Sequence, residues 1–258
     1  MDPGTRPAAF SGEFLKLATQ SWGEEGRPPA VLVHGLTGSA ETWWRVGPWF
    51  AENGWHAVAV DLRGHGASPR MRGGEGLGDL GDAVYETVTE LLGSGAGVDV
   101  LVGHTLGALT AMRLCEDVPD LTRSLVLEDP PSGGNHPNAN AREVEEGASR
   151  AREDPRTLAR EILSENPSWA ERDTISSVAS LRDCDAGALA RFRRDELRWD
   201  LVALAGAIPV PMLLLLGDED LGSALLASER PSRTRCARAR SKNSRPGTTS
   251  TATTLRVT

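Results

Sequence analysis

Val98–Met112, VDVLVGHTLGALTAM, is the stretch whose reading decides the fold. It opens on a short run rich in Val and Leu that does not alternate with polar residues, the pattern of a strand buried on both faces. From Leu106 to Asp117 the apolar residues take up helical spacing, which predicts a helix. Between the two stands Gly103-His104-Thr105-Leu106-Gly107, a Gly-x-Thr-x-Gly string. Small residues on both sides of Thr105 suit a tight turn that brings its backbone against neighbouring chain.

Working outward, four more apolar runs of strand length recur: Ala30 to Val33, Ala57 to Val60, Ser124 to Leu127 and Met212 to Leu216. Segments long enough for helices separate them. GSAETWWRVGPWFAENG (38–54) reads as one helix with Ser39 as N-cap and Gly54 as stop, and Gly78 to Leu92 as another, with Leu80, Val84, Val88 and Leu91 on one face. Strands alternating with helices predict an α/β fold with a mostly parallel sheet. Residues 131–200 break the rhythm: a loop, SGGNHPNAN, precedes acidic and Arg-rich segments in which Leu158, Ile162 and Leu163 mark amphipathic helices. The organisation expected is a sheet core over 12–130 and 201–227, an inserted helical cap over 131–200, and a tail over 228–258.

Composition narrows the functional classes. With 258 residues, 39% of them hydrophobic, the chain can bury one large core. A net charge of −8 offers no overall positive field for nucleic acid or an anionic membrane, so neither is expected as a partner. Cys115, Cys184 and Cys236 are far apart, with no CxxC spacing. That argues against a disulfide framework or a zinc site and for a reducing compartment. The N-terminus has no apolar signal region and no run is long enough to span a bilayer, so a cytoplasmic protein is expected. Glycine-rich segments at Gly73 to Gly78 and Gly93 to Gly97 follow no strand and read as loops, not as a dinucleotide fingerprint.

Three further stretches occur in a telling order around Val98–Met112: VLVHGLTGS (31–39), AVAVDLRGHGAS (57–68) and LLLLGDEDLGS (213–223). Together the four resemble the motifs of the α/β-hydrolase superfamily, in its serine-hydrolase, esterase- or lipase-like form, over roughly residues 12–226. The resemblance implies a nucleophile elbow at GHTLG, with Thr105 at the nucleophile position and Gly103, His104 and Gly107 shaping it. It implies an oxyanion hole made by the backbone N–H groups of Leu36 and Leu106, on a loop that His34 and Gly35 support. DLRGHGAS, with Asp61, Arg63 and His65, is then a structural turn. The acid is implied at Asp220, with Asp218 close by, and some members place it where Glu128 and Asp129 end their strand. The function implied is hydrolysis of a carboxylic ester, thioester or lactone through an acyl-enzyme, on a small-molecule substrate, with no metal or cofactor. The oligomeric state is open.

Two departures qualify that expectation. Thr105 stands where the family carries serine, and a β-branched residue tolerates the strained elbow less well. No histidine occurs after His136, so the base that should follow the last strand is missing and slow or absent turnover is expected. A catalytically dead member that binds a small ligand is the alternative. His34, His65 and His104 read as scaffold histidines, Cys115 as a core residue, and Trp43, Trp44 and Trp49 as packing or pocket residues. The tail from Ser228 carries eight Lys or Arg and one Glu. Its Arg/Thr/Ser composition predicts no buried strand, so the last strand and helix of the fold read as lost. Written in GC-rich codons and read in a shifted frame, SKNSRPGTTSTATT (241–254) spells EELPAGHDLHRDD, which looks like the family's missing histidine loop. A frameshift with its breakpoint between Leu226 and Arg235 accounts for the tail.

Overall fold

The computed structural model describes residues 16–93, 95–131, 141–195 and 199–217, together with the backbone of two strands at 236–238 and 251–255. The strands are β1 (Thr19–Trp22), β2 (Pro29–Val33), β3 (His56–Val60), β4 (Val100–His104), β5 (Leu125–Glu128), β6 (Met212–Leu216), β7 (Cys236–Arg238) and β8 (Thr251–Leu255). They form one sheet in the order β1-β3-β2-β4-β5-β6-β8-β7, in which β3, β2, β4, β5 and β6 run parallel. The five predicted strands are these five. β2, β3 and β4 are almost wholly buried, which is why their sequences lack polar alternation.

Helices cover the sheet. α1 (Val46–Glu52) packs on β3, while α2 (Leu77–Leu92) and α3 (Leu106–Asp117) pack against each other. α3 puts Leu109, Met112, Leu114 and Cys115 into the main core beside Val31, Val33 and Leu125. A second cluster holds Leu32, Ala59, Val102 and Trp43. Between β5 and β6 the chain forms α4 (Ala141–Glu153), α5 (Pro155–Glu165), α6 (Glu171–Asp183) and α7 (Ala186–Asp195), in the span where the cap is expected. α4, α7 and the end of α6 share a small core of Val144, Ala148, Leu189 and Cys184. α8 (Leu201–Ala207) returns the chain to β6, capped by Asp200, whose carboxylate accepts the N–H groups of Val202 and Ala203.

Three features depart from the sequence reading. The single helix expected over 39–54 is a 3-10 turn, Ala40–Trp43, followed by α1. Pro48 has no N–H to return to Trp44, so it fits the first turn of a helix and not the interior of a longer one. Ser39 does not cap with its side chain; its Oγ meets Ser180 Oγ of α6 at 2.7 Å. β1 carries only four half-exposed residues and pairs antiparallel with β3 at the sheet edge, too short to show periodicity. Finally, the tail supplies β7 and β8, antiparallel to each other and, through β8, to β6. The β-branched threonines of Thr251–Leu255 suit pairing with the edge that β6 presents, a local preference that overall composition hides.

Candidate active site

The topology creates the site before any side chain does. From β2 the chain moves outward to β3, then returns to the other side of β2 as β4, so β2 and β4 are neighbours whose following loops diverge. Such a switch point leaves a crevice at the carboxyl ends of the strands. Val33 and Gly103 are register partners there, which sets the loop His34-Gly35-Leu36 beside the turn His104-Thr105-Leu106.

Thr105 occupies the turn between β4 and α3 with φ 42° and ψ −106°. A non-glycine residue at positive φ costs on the order of 1–3 kcal/mol, more readily borne by serine than by threonine. Its backbone is pinned on both sides: Thr105 N–H donates to Glu128 O at 3.0 Å, and Thr105 O accepts from Ala108 and Leu109 N–H. The flanking glycines are sterically required. A β-carbon on Gly103 would overlap the carbonyl of Gly107, and one on Gly107 would overlap the carbonyl of Val33 and lie 2.6 Å from that of His34. A β-carbon on Gly35 would overlap Thr105 Oγ1 and lie 2.9 Å from His104 Nδ1, so both side chains converge on this glycine. Among the described residues, the N–H groups of Leu36 and Leu106 donate no hydrogen bond.

The histidines separate into two kinds. His34 is fully buried: its Nε2 accepts from Leu62 N–H at 3.0 Å, so Nδ1 carries the proton and donates to Gly35 O at 2.8 Å. His65 Nε2 accepts from Thr37 N–H at 3.3 Å while its Nδ1–H donates to Arg63 O at 2.9 Å. Desolvation pulls His34 down to about 4, and desolvation, reinforced by the neighbouring His34 ring, pulls His65 down to about 3. The two rings meet edge to face at 4.8 Å. Both are neutral struts that hold the Leu36 loop to the 61–68 turn. His104 differs: it is half-buried, and its ring makes no hydrogen bond among the described residues.

Asp61 anchors the 61–68 turn. Its carboxylate accepts Ala40 N–H at 2.6 Å and Ala67 N–H at 2.9 Å, and it fills the space a side chain at Gly66 would need. Arg63 pairs with Glu75 at 3.5 Å, both nearly buried. Cys115 is fully buried, and burial pushes its thiol up to about 12, in keeping with a core role.

Glu128 and Asp129 follow the neighbouring strand. Glu128 is the register partner of His104 and is exposed. Asp129 takes φ 45°, donates its N–H to Leu215 O and accepts Gly217 N–H on Oδ1 at 3.2 Å, so its carboxylate ties β5 to the end of β6. Asp218, Asp220 and His136 lie outside the described residues.

Beside the turn between β4 and α3 lies a cavity of about 490 Å³ between the loop after β2 and the segment that leads into α6. Leu36, His104 and Glu128 line it from the ends of the strands, Trp43 and Trp44 from the 3-10 turn, Asp173 and Ser176 from α6, and Trp169 from the turn before α6. Trp49 is largely exposed, meets Phe50 edge to face, and does not line the cavity. α6 is tied to the 3-10 turn at the cavity: Trp44 Nε1–H donates to Asp173 at 2.9 Å, Arg45 pairs with Asp173 at 3.1 Å, and the guanidiniums of Arg45 and Arg172 lie 4.6 and 4.7 Å from the Trp44 ring. No local sequence pattern marks Trp169, Asp173 or Ser176 for this place, because only the docking of α6 on the core brings them there.

Residues 30–248 match the Alpha/beta hydrolase family. The chain is 28% identical over 217 residues to the 2-succinyl-6-hydroxy-2,4-cyclohexadiene-1-carboxylate synthase of Salmonella heidelberg (strain SL476), covering 80% of this chain and 83% of the relative. It is 28% identical over 213 residues to the synthase of the same name from Pectobacterium atrosepticum, covering 79% and 82%. A hydrolase from Pseudomonas aeruginosa PA01 superposes with a TM-score of 0.61 at 23% identity, over 78% of this chain and 76% of that one. A thermophilic esterase from Thermogutta terrifontis does so at 0.60 and 22%, over 77% and 73%. At these identities the two solved structures speak for a shared fold alone.

Proposed function

The chain belongs to the alpha/beta hydrolase family, and on that premise we propose that its crevice is an acyl-transfer site for a carboxylic ester, thioester or lactone, impaired as it stands. The observation that carries this reading is the backbone of Thr105, held at φ 42° between a buried strand and a helix, against the Leu36 loop. In the reaction proposed, Thr105 Oγ1 attacks the substrate carbonyl and its proton passes by way of solvent water to the departing oxygen or sulfur. The N–H groups of Leu36 and Leu106 stabilise the oxyanion, the alcohol or thiol departs, and water hydrolyses the acyl-enzyme. Asp220 remains the proposed acid, with Asp218 and Asp129 as alternatives. Asp129 is already engaged with Gly217, which weighs against it.

Impairment follows from two facts. The γ-methyl of threonine crowds the space of the tetrahedral intermediate. His34 and His65 are buried neutral struts, and His104 has no orienting hydrogen-bond partner among the described residues. Loss of the base costs several orders of magnitude, with a residue of catalysis left to oxyanion binding. Hydrolysis of short p-nitrophenyl esters tests the reading: Thr105→Ser raises a low rate and Thr105→Ala lowers it to background. A brisk rate that Thr105→Ala leaves unchanged would refute the elbow assignment.

A second reading, a ligand-binding protein without turnover, is favoured by Thr105 itself. It predicts a small molecule that binds in the cavity, is never cleaved, and binds equally to Thr105→Ser.

A further inference from the structure

The cavity beside the elbow has a composition that selects its occupant. Three tryptophans line it, two from the core side and Trp169 from the cap. Flat aromatic walls pack best against a flat, preferably aromatic, partner. Its volume of about 490 Å³ lies in the range of small-molecule sites. The cap also contributes Ser176, which is only 6% exposed, lines the cavity, and has no hydrogen-bond partner for its hydroxyl among the described residues. That hydroxyl is open to the cavity and not sealed in the core, so a ligand oxygen within reach gains a hydrogen bond from it in place of water.

Charge decides which oxygen. The lining carboxylates are Glu128 and Asp173. Arg45, the lining cation, already spends its charge on Asp173, which also accepts from Trp44 Nε1–H and Ala170 N–H. A substrate carboxylate would therefore enter a site with an unneutralised negative group and lose water without gaining a free cation.

We propose that the cavity takes an aromatic acyl group bearing a neutral oxygen substituent, a phenol or aryl ether, and that Ser176 recognises that oxygen. The acyl carbonyl then points toward Leu36 and the elbow, while the ring lies among Trp43, Trp44 and Trp169. This assignment of substrate class rests on the acyl-transfer reading for its choice of an acyl ligand.

Probes without a scissile bond separate the two. Calorimetric titration of the full chain with 4-(4-hydroxyphenyl)butan-2-one, 4-phenylbutan-2-one and 2-nonanone is expected to rank them in that order. The hydroxyl should be worth about five- to tenfold in Kd, as one neutral hydrogen bond is. Ser176→Ala, a change that favours helix at an α6 position, should bring the first two ketones to parity and leave the unsubstituted one unchanged. The proposal is overturned if 2-nonanone binds as tightly as the aromatic ketones, if the preference for the hydroxyl survives in Ser176→Ala, if the corresponding 4-carboxyphenyl ketone binds more tightly, or if no ketone binds. Ketones that bind as expected to a chain whose Thr105→Ser variant cleaves no ester would sink the hydrolase reading and leave the cavity assignment standing. Ester cleavage with no aromatic preference would do the reverse.

Discussion

Gly35→Ala is the perturbation that most directly tests how the elbow is packed. Gly35 does not lie at positive φ, so alanine is allowed by the backbone and the substitution probes space alone. The added β-carbon would overlap Thr105 Oγ1 and stand 2.9 Å from His104 Nδ1. Thr105 cannot retreat, because its N–H is held by Glu128 O, its carbonyl by α3, and its β-branch restricts χ1. Overpacking of this kind costs about 1–3 kcal/mol. For a chain of this size that is a fall in Tm of roughly 2–4 °C per kcal/mol. The assay is thermal unfolding followed by circular dichroism on Gly35→Ala, Thr105→Ala and the double variant. Removing Oγ1 in Thr105→Ala removes the worst overlap, so Gly35→Ala should cost at least about 1 kcal/mol less in that background, well above the few tenths expected of independent sites. If Gly35→Ala leaves Tm unchanged, or costs the same in both backgrounds, Thr105 Oγ1 does not face Gly35 and the geometry of the site is wrong.

Three other outcomes follow from the same structure. Asp61→Ala strips the acceptor from the N–H groups of Ala40 and Ala67 and should cost about 2–4 kcal/mol, with Asp61→Asn costing less because one oxygen is kept; a urea midpoint unchanged by Asp61→Ala would contradict this. His34 and His65 are held near 4 and 3 in the fold against an ordinary 6.5, so the unfolded chain takes up their protons first. Their contribution is complete above pH 6.5 and is lost as pH falls toward the folded values, at up to about 1.4 kcal/mol per pH unit for each. Urea midpoints should therefore drop between pH 6.5 and 5, and a flat profile there would show that the rings are not buried and neutral. Resequencing the gene around codon 230 should reveal a gained or lost base. A chain with Thr105→Ser and the restored GHDLH-like segment should cleave esters orders of magnitude faster than either change alone, whereas an intact reading frame leaves the chain without the usual base.

How much of this was legible beforehand differs from element to element. The five central strands could be read because burial on both faces forbids polar alternation, and α3 because its apolar spacing runs from Leu106 to Asp117 without interruption. GHTLG could be read because the glycines at 103 and 107 answer a contact so close that no β-carbon fits. β1 was not legible, since an edge strand of four half-exposed residues carries no pattern, and β8 was not, since its threonines sit in a segment whose overall composition points elsewhere. The helix over 39–54 divided because Pro48 can start a helix but not continue one.

The sequence by itself determined the family, the sheet and the place of Thr105, because each rests on local rules of burial, turn geometry and backbone sterics acting over a few consecutive residues. It also showed that no histidine follows His136. Only the tertiary structure decided what the site is made of. The adjacency of β2 and β4 sets Leu36 beside Thr105, the hydrogen bonds to Leu62 and Thr37 make His34 and His65 struts, and the docking of α6 brings Ser176 and Trp169 to the cavity that Leu36 and His104 line. Those are contacts between residues far apart in the chain, whose partners no local pattern can name.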